Sequence, residues 1–333
     1  MIISWNVTKA CQLKCRHCYR DAGAKDMREL DLNEGKALID EIASAGFKIL
    51  ILSGGEPLLR EDIYDLIAHA KTRGLRPVLG TNGLLIDRAV ARKLKNAGLT
   101  RAGISLDSAE PDIHDNFRQQ PGAWQGSING VDACRAEGLD FQIHTTVTTF
   151  NCSGIEAVTD LAVTLGAKAH HIFFLIPTGR GRDISDAVIP SEEYQRLLSR
   201  IVQKQAHVPI ELKPVCAPQF VPLAEATGHP TRFQRGCLAG VSYCCILPNG
   251  DVHPCPYFPV SVGNVLVVKF STLWREHPLF KELRSLDYSG HCGGCEYKTS
   301  CGGCRARAYA GSGDYMGQDE ECFFISSKPE DVR

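Results

Sequence analysis

Nowhere in the 333 residues do about 18 apolar side chains run together, so no membrane-spanning helix is expected. The first residues, Met1-Ile2-Ile3-Ser4-Trp5-Asn6, lack the basic start and apolar stretch of a secretory signal, and the expectation is a soluble, cytoplasmic protein. An excess of charge is missing too. With 37 Lys and Arg against 38 Asp and Glu, nothing is left over to hold a nucleic acid or an anionic membrane. There is no solenoid-type repeat and no low-complexity tract, and 44% hydrophobic with 23% charged residues excludes disorder. Against these absences stands one excess, fifteen cysteines. A reducing compartment keeps thiols from pairing, so cysteines in this number point to metal ligation.

Their distribution divides the chain. Three lie between residues 11 and 18, Cys134 and Cys152 stand alone, and ten crowd into residues 216 to 322. From residue 2 to about 206, β-branched or aromatic runs alternate with helical patterns. The runs are Ile2 to Val7, Ile49 to Ser53, Pro77 to Gly80, Ala102 to Leu106, Phe141 to Val147 and Ile172 to Ile176. Between them, Leu38, Ile39, Ile42 and Ala45 share a helix face, as do Ile63, Leu66, Ile67 and Ala70, and Val90, Leu94 and Ala97. Such repeats make either a doubly wound sheet or a β/α barrel. The unusual residues all follow strands: the first cysteines, Gly54-Gly55-Glu56-Pro57, Thr81-Asn82-Gly83, Asp107-Ser108 and Pro177-Thr178-Gly179-Arg180. Loops from six successive strands converge on one site only if the sheet curves, which favours an α/β fold with a six-stranded partial barrel over residues 1–207. Residues 208–333 read as a linker and a small metal-stapled domain, with a hairpin over Tyr243 to Val252 and a frayed tail from Ser326.

Cys11, Cys15 and Cys18 form Cys-x3-Cys-x2-Cys. Tetrahedral zinc normally takes four protein ligands, and only His17 lies nearby, between two of the thiols. A [4Fe-4S] cluster on three thiolates leaves one iron open for a ligand that is not protein. A zinc loop or three buried thiols is the alternative. This motif, with Tyr19 after it and Gly54-Gly55-Glu56-Pro57 after the next strand, resembles the radical S-adenosylmethionine (radical SAM) superfamily. The resemblance implies a partial barrel of that type. It implies that S-adenosylmethionine chelates the open iron, with Tyr19 near the adenine and residues Gly54, Gly55, Glu56 and Pro57 at the amino group. Ser105 and Asp107 are similar to residues that hold the ribose or carboxylate, and Arg118 would pair the carboxylate. The chemistry implied is cleavage to methionine and a 5′-deoxyadenosyl radical, which takes hydrogen from an unactivated carbon.

Cys292-x2-Cys295-x5-Cys301-x2-Cys304 with Cys322, preceded by Cys237 and Cys255, resembles the SPASM domain of the same superfamily, which implies two auxiliary [4Fe-4S] clusters and three in all. Zinc ribbons share the Cys-x2-Cys spacing, and a brown colour would separate the two. Carried over by position, Cys292, Cys295, Cys301 and Cys322 bind the distal cluster, and Cys237, Cys255 and Cys304 the nearer one. The spacing of two residues between Cys301 and Cys304, where many members have three, departs from the pattern. For the fourth ligand, a two-residue turn at Asn249-Gly250 would face Cys244 with Cys255, roughly 5 Å apart at Cβ, and turn Cys245 away. Cys244 is therefore the expected ligand, with Cys216 as its competitor, and Cys134 and Cys152 are expected to be packed thiols.

Nearly the whole chain, including Tyr19 to Gly23, His170 to Gly181, Lys213 to Phe220 and Cys301 to Tyr309, resembles the heme synthases of the siroheme-dependent pathway (the AhbD family). That resemblance implies oxidative decarboxylation of two propionates of iron-coproporphyrin III to vinyls, giving heme b, with electrons from a flavodoxin or ferredoxin-type donor. Cationic clamps for a tetracarboxylate are expected among Arg20, Arg180, Arg182, Lys213, Arg232, Arg235, Arg305 and Arg307, with Arg20, Arg180 and Arg182 foremost. The alternatives are a didecarboxysiroheme deacetylase or heme d1 branch enzyme, a peptide-modifying SPASM maturase, and a cluster-binding sensor without turnover. With ten residues before Cys11, the leader-recognition domain that many maturases carry is not expected.

Overall fold

The computed structural model describes residues 1–229 and 231–325. One nine-stranded sheet organises it: β1 Ile2–Thr8, β2 Ile49–Gly54, β3 Arg76–Thr81, β4 Arg101–Ser105, β5 Phe141–Val147, β6 Ala169–Phe174, β7 Glu211–Val215, β8 Tyr243–Ile246 and β9 Val252–His253. The order β7-β6-β5-β4-β3-β2-β1-β8-β9 runs through the first seven strands without reversal, and every neighbouring pair among them is parallel. A doubly wound sheet reverses at a switch point; this one does not, so its crossovers share a hand and its helices cover one face. The result is the expected partial barrel, with β7 at an open edge. Among the described residues no helix is long and apolar enough to cross a membrane.

Alternation along the strands sets the core. Ile3, Trp5 and Val7 of β1 and Leu50 and Leu52 of β2 are buried beneath α1 (Leu32–Ser44) and α2 (Ile63–Thr72), which present Leu38, Ile39, Ile42, Ile63, Leu66 and Ile67. The start of α1 is fixed by a capping box: Asp31 accepts from Glu34 N–H, and the Glu34 carboxylate accepts from Asp31 N–H, each at 2.9 Å. Further crossover helices are α3 (Arg88–Asn96), α4 (Pro111–Arg118), α5 (Ala123–Glu137), α6 (Ile155–Leu165) and α7 (Ser191–Gln205), and α8 (Phe220–Ala226) follows β7. Cys134 is buried on α5 as a packed thiol, and Cys152 is half-buried with its thiol 3.8 Å from Thr149 O.

Two strands differ from expectation. β6 begins three residues early, at Ala169, because His170 and His171 belong to it. β7 was not anticipated: its charged residues and Pro214 disguise it, yet an edge strand tolerates a residue without an N–H. The sheet thus runs through the boundary expected at residue 207, and β8 hydrogen-bonds to β1, so the cysteine-rich region is joined edge to edge with the barrel. The tail from Ser326 lies outside the described residues.

Ile39 is fully buried, so Ile39→Ala should cost about 2–5 kcal/mol. Asp31→Ala removes only a cap and should cost about 1 kcal/mol. Denaturant unfolding checks the order, which reverses only if α1 owes more to its cap than to its buried face.

Candidate active site

Residues 9–23 leave the carboxyl end of β1 and fold back: Cys11 N–H donates to Gly23 O at 2.8 Å and Gly23 N–H to Lys9 O at 3.0 Å. From β2, Gly55 N–H donates to Thr8 O at 2.8 Å and Glu56 N–H to Ala10 O at 2.7 Å. A Cβ on Gly54 would stand 2.3 Å from Thr8 O and one on Gly55 2.1 Å from Ala10 O, so no other residue fits. The close approach that these glycines permit is that of the chain's own Thr8 and Ala10. From the loop after β6, Arg180 donates through N–H to Cys18 O (2.9 Å), through Nε to Cys15 O (3.0 Å) and through Nη1 to Ala22 O (2.8 Å). From α4, the Phe117 ring stacks on His17 at 4.0 Å, and Arg118 Nη1 reaches Cys15 Sγ at 3.8 Å. The three thiols therefore sit on a loop pinned from several sides. Burial pushes Cys11 up to about 11, with the neighbouring Glu56, Cys15 and Cys18 adding to the shift.

Glu56 is fully buried, and its carboxylate accepts from Thr81 Oγ1 (2.8 Å), Asn82 N–H (2.9 Å) and Leu58 N–H (3.2 Å). Pro57 begins a short 3₁₀ turn that Glu56 caps. Ser105 donates to Thr81 O at 3.2 Å. At Asp107, one oxygen accepts from Thr146 N–H (2.9 Å) and the other from Arg118 Nε (2.7 Å), so both are already engaged by the chain itself. Burial alone would raise Asp107, but the Arg118 guanidinium overrides it and holds the carboxyl at about 2. Arg118 is correspondingly engaged by Asp107, with Cys15 beyond it. Tyr19 donates to Asn6 Oδ1 at 3.4 Å, and its ring faces Tyr257 at 5.1 Å and the Arg20 guanidinium at 5.3 Å.

In the second region, Cys292, Cys295, Cys301 and Cys322 line one recess together with Tyr297 and Phe324. Cys216, Cys237, Cys255 and Cys304 form the other group. The hydrogen bond from Cys216 brings Cys304 down to about 7 against its burial, and Cys255 lies within electrostatic reach of both Cys304 and Cys237. Cys216 holds a left-handed backbone, φ 59°, a conformation uncommon outside glycine. Cys244 is not in this group. The hairpin pairs Cys245 with His253 and Ile246 with Val252, one residue out of the expected register. The reason is Pro248, which has no N–H to close a two-residue turn. Leu247 N–H closes the loop instead, to Asp251 O at 2.8 Å, with Gly250 at φ 90°. Cys244 consequently turns into the hydrophobic core, and Cys245 takes the other face, 3.5 Å from Arg20 Nη2.

Four of the eight expected cationic clamps serve the fold instead. Arg180 holds the cysteine loop, Arg235 donates to Cys237 O and Tyr288 Oη, and Arg305 donates to Tyr315 O and Gly317 O. Arg307 makes a buried two-point pair with Asp319 at 2.5 and 2.8 Å, and Asp319 also accepts from Cys304 N–H at 2.7 Å. Asp319 had no signal in the cysteine spacing. Arg20 stays half-buried beside Tyr19, and Arg182 is exposed.

Residues 5–162 match the Radical SAM superfamily and residues 237–305 the iron-sulfur cluster-binding domain SPASM. The chain is 40% identical to an AdoMet-dependent heme synthase of Methanosarcina barkeri, over 98% of this chain and 97% of that one. It is 31% identical to an Fe-coproporphyrin III synthase of the same organism, over 98% of this chain and 88% of that one. The chain belongs to the AdoMet-dependent heme synthase family of radical SAM enzymes. The solved structure of Streptococcus suis SuiB bound to S-adenosylmethionine shares the fold, with a TM-score of 0.75 at 16% identity over 97% of this chain and 77% of that one.

As a radical SAM enzyme it uses S-adenosylmethionine and iron–sulfur clusters, and its residues fit them. Three free thiols share one pinned loop, four more line a single recess, and Asn82 Nδ2 and Arg20 Nε are buried donors without a partner among the described residues.

Arg180→Leu should lower the iron held by the Cys11–Cys18 loop and the cleavage of S-adenosylmethionine together, whereas Arg182→Leu should leave both intact. Iron analysis and 5′-deoxyadenosine release check this, and equal behaviour of the two variants contradicts it. Cys216→Ala should remove the iron of one cluster and Cys244→Ala none; the reverse result would restore the two-residue turn.

Proposed function

We propose that the enzyme oxidatively decarboxylates two propionates of iron-coproporphyrin III to vinyl groups, giving heme b. The observation that carries this reading is the 40% identity to a heme synthase over nearly the full length of both chains, against 31% to an Fe-coproporphyrin III synthase. Cys11, Cys15 and Cys18 are read as the ligands of the cluster that meets S-adenosylmethionine. Cys216, Cys237, Cys255 and Cys304 are read as holding one auxiliary cluster and Cys292, Cys295, Cys301 and Cys322 the other, three clusters in all. Residues 1–207 and 208–333 are the two functional regions, with β7 contributed by the second to the sheet of the first.

When bound, the cluster and S-adenosylmethionine supply a 5′-deoxyadenosyl radical able to take a hydrogen atom from an unactivated carbon. Each propionate then gives up a β-hydrogen, carbon dioxide and one electron to become a vinyl. The departing electron needs an acceptor, and Tyr257 supports a route: its ring faces Tyr19 in the first region, and it lies within electrostatic reach of Cys216 and Cys255 in the second. Glu56, Thr81 and Asn82 form the polar wall at the amino end of S-adenosylmethionine, and Tyr19 covers its adenine. Asp107 and Arg118 act as positioning residues, holding a buried positive charge against Cys15. Arg20, half-buried with one donor unpartnered, and Arg182 are read as contacts for substrate carboxylates. A flavodoxin or ferredoxin-type protein is the proposed electron donor.

Anaerobic incubation with reductant, S-adenosylmethionine and iron-coproporphyrin III should yield products lighter by one and then two formic acid equivalents, with two 5′-deoxyadenosines released per heme. An unchanged porphyrin beside a deacetylated didecarboxysiroheme would move the enzyme to a neighbouring reaction.

A further inference from the structure

The concave face of the sheet carries cations that neither cysteine region uses. On β4 to β7, Ala102, Ile143, Ile172 and Leu212 lie in the core beneath the helices, so the alternate residues Arg101, Gln142, His144, His171 and Lys213 face the barrel interior. Arg101 Nη1 donates to Gln142 Oε1 at 3.1 Å. The Gln142 amide nitrogen is thereby the donor to His144 Nε2 at 2.7 Å and to His171 Nδ1 at 3.2 Å. Both of those ring nitrogens must be unprotonated, so both imidazoles are neutral; burial likewise pushes His171 down to about 3.

The positive charge of this face therefore rests on Arg101, Lys213 and Arg232. The three converge, since each bears electrostatically on His171, and Lys213 and Arg232 both lie over the Phe233 ring, at 4.4 and 5.2 Å. Arg232 pairs with Glu211, whose carboxylate also stands 3.7 Å from His171 Nε2. The others have less. Asp140, the carboxylate that bears on Arg101, is shared with Lys168 at 3.8 Å, and Arg76 adds a further positive charge nearby. Lys213 meets only the cost of its own burial. Lys213 is half-buried with no carboxylate beside it, and Arg101 is half-buried with only a shared one, whereas Arg232 is exposed and paired. A cation held partly away from water without full counter-charge is unfavourable, and an anion arriving beside Lys213 and Arg101 recovers that cost. Arg101 and Glu211 begin their strands, whereas the Cys11–Cys18 loop lies at the carboxyl ends, about 13 Å away along β4.

We propose that Arg101 and Lys213 on the concave face, with Arg232 at its solvent edge, form a carboxylate-binding floor, which takes propionates of the tetrapyrrole that are not reacting and so turns a reacting one toward the Cys11–Cys18 loop. This rests on the tetrapyrrole reading above. It differs from clamps at the barrel mouth in its location and in the involvement of Arg101, Gln142 and His171.

The test uses reconstituted enzyme titrated by absorbance with iron-coproporphyrin III, which has four propionates, and with heme b, which has two. Wild type should bind the tetracarboxylate more tightly, and its affinity should fall as salt is added. Arg101→Gln and Lys213→Met should each weaken iron-coproporphyrin III binding by roughly tenfold, and Lys213→Arg should restore most of it. Iron content and porphyrin-independent 5′-deoxyadenosine release should stay at wild-type levels. An unchanged affinity in both the Arg101→Gln and Lys213→Met variants overturns the floor while leaving the function standing. Failure of wild type to bind iron-coproporphyrin III overturns the function and this inference with it. Should the variants lose iron, the wild-type salt titration decides: an affinity that does not change with ionic strength overturns the floor.

Discussion

The backbone of Thr8 to Ala10 lies against Gly54 and Gly55 so closely that a single methyl group on either glycine would overlap a carbonyl oxygen. That contact fixes where the chain can turn after β1, and hence where Cys11, Cys15 and Cys18 stand relative to Glu56. Arg180 completes the constraint from the far side of the sheet by donating to three carbonyl groups of the same loop. A loop carrying three thiols has no hydrophobic core of its own to hold it. Backbone-to-backbone packing and one guanidinium supply the rigidity that a site for an open iron requires.

The same economy of charge runs through the second region. Arg307 and Asp319 are paired in the interior, and Asp319 spends its remaining capacity on Cys304 N–H and Gln219. Removing one partner would leave an uncompensated buried charge beside a cysteine group, a large penalty in a low-dielectric setting. Arginine near a cysteine in this fold therefore marks support for the loop more often than contact with substrate. The cations proposed for a ligand are Arg20, Arg182 and the group on the concave face around Lys213.

Much of this was legible in the sequence, for physical reasons that differ from element to element. Phe141 to Val147 read as a strand because its apolar residues and their alternation survive in any context, and the first three helices because their buried faces repeat at 3.6 residues. The cysteine and Gly-Gly-Glu-Pro motifs read clearly because local spacing alone sets which groups share a loop. β7 was hidden by Pro214 and its charges, whose meaning depends on the strand lying at an edge and on the charges facing inward. The hairpin register lies one residue away from the one Asn249-Gly250 signals, because Pro248 has no N–H to close a two-residue turn. On that one residue turned the choice of Cys244 over Cys216. The fates of Asp107, Arg180 and Arg307 were not readable, since each is set by a tertiary partner that no local spacing marks: Arg118 for Asp107, the Cys15 and Ala22 carbonyls for Arg180, and Asp319 for Arg307.

In the proposed reaction, the pinned loop, the polar wall at Glu56 and the substrate meet at one point, so that hydrogen leaves a propionate of the porphyrin and no other group. Iron-coproporphyrin III deuterated at the propionate β-carbons tests this most directly. Turnover should place one deuterium in 5′-deoxyadenosine for every vinyl group formed, read by mass. Vinyl formation with unlabelled 5′-deoxyadenosine would contradict the account.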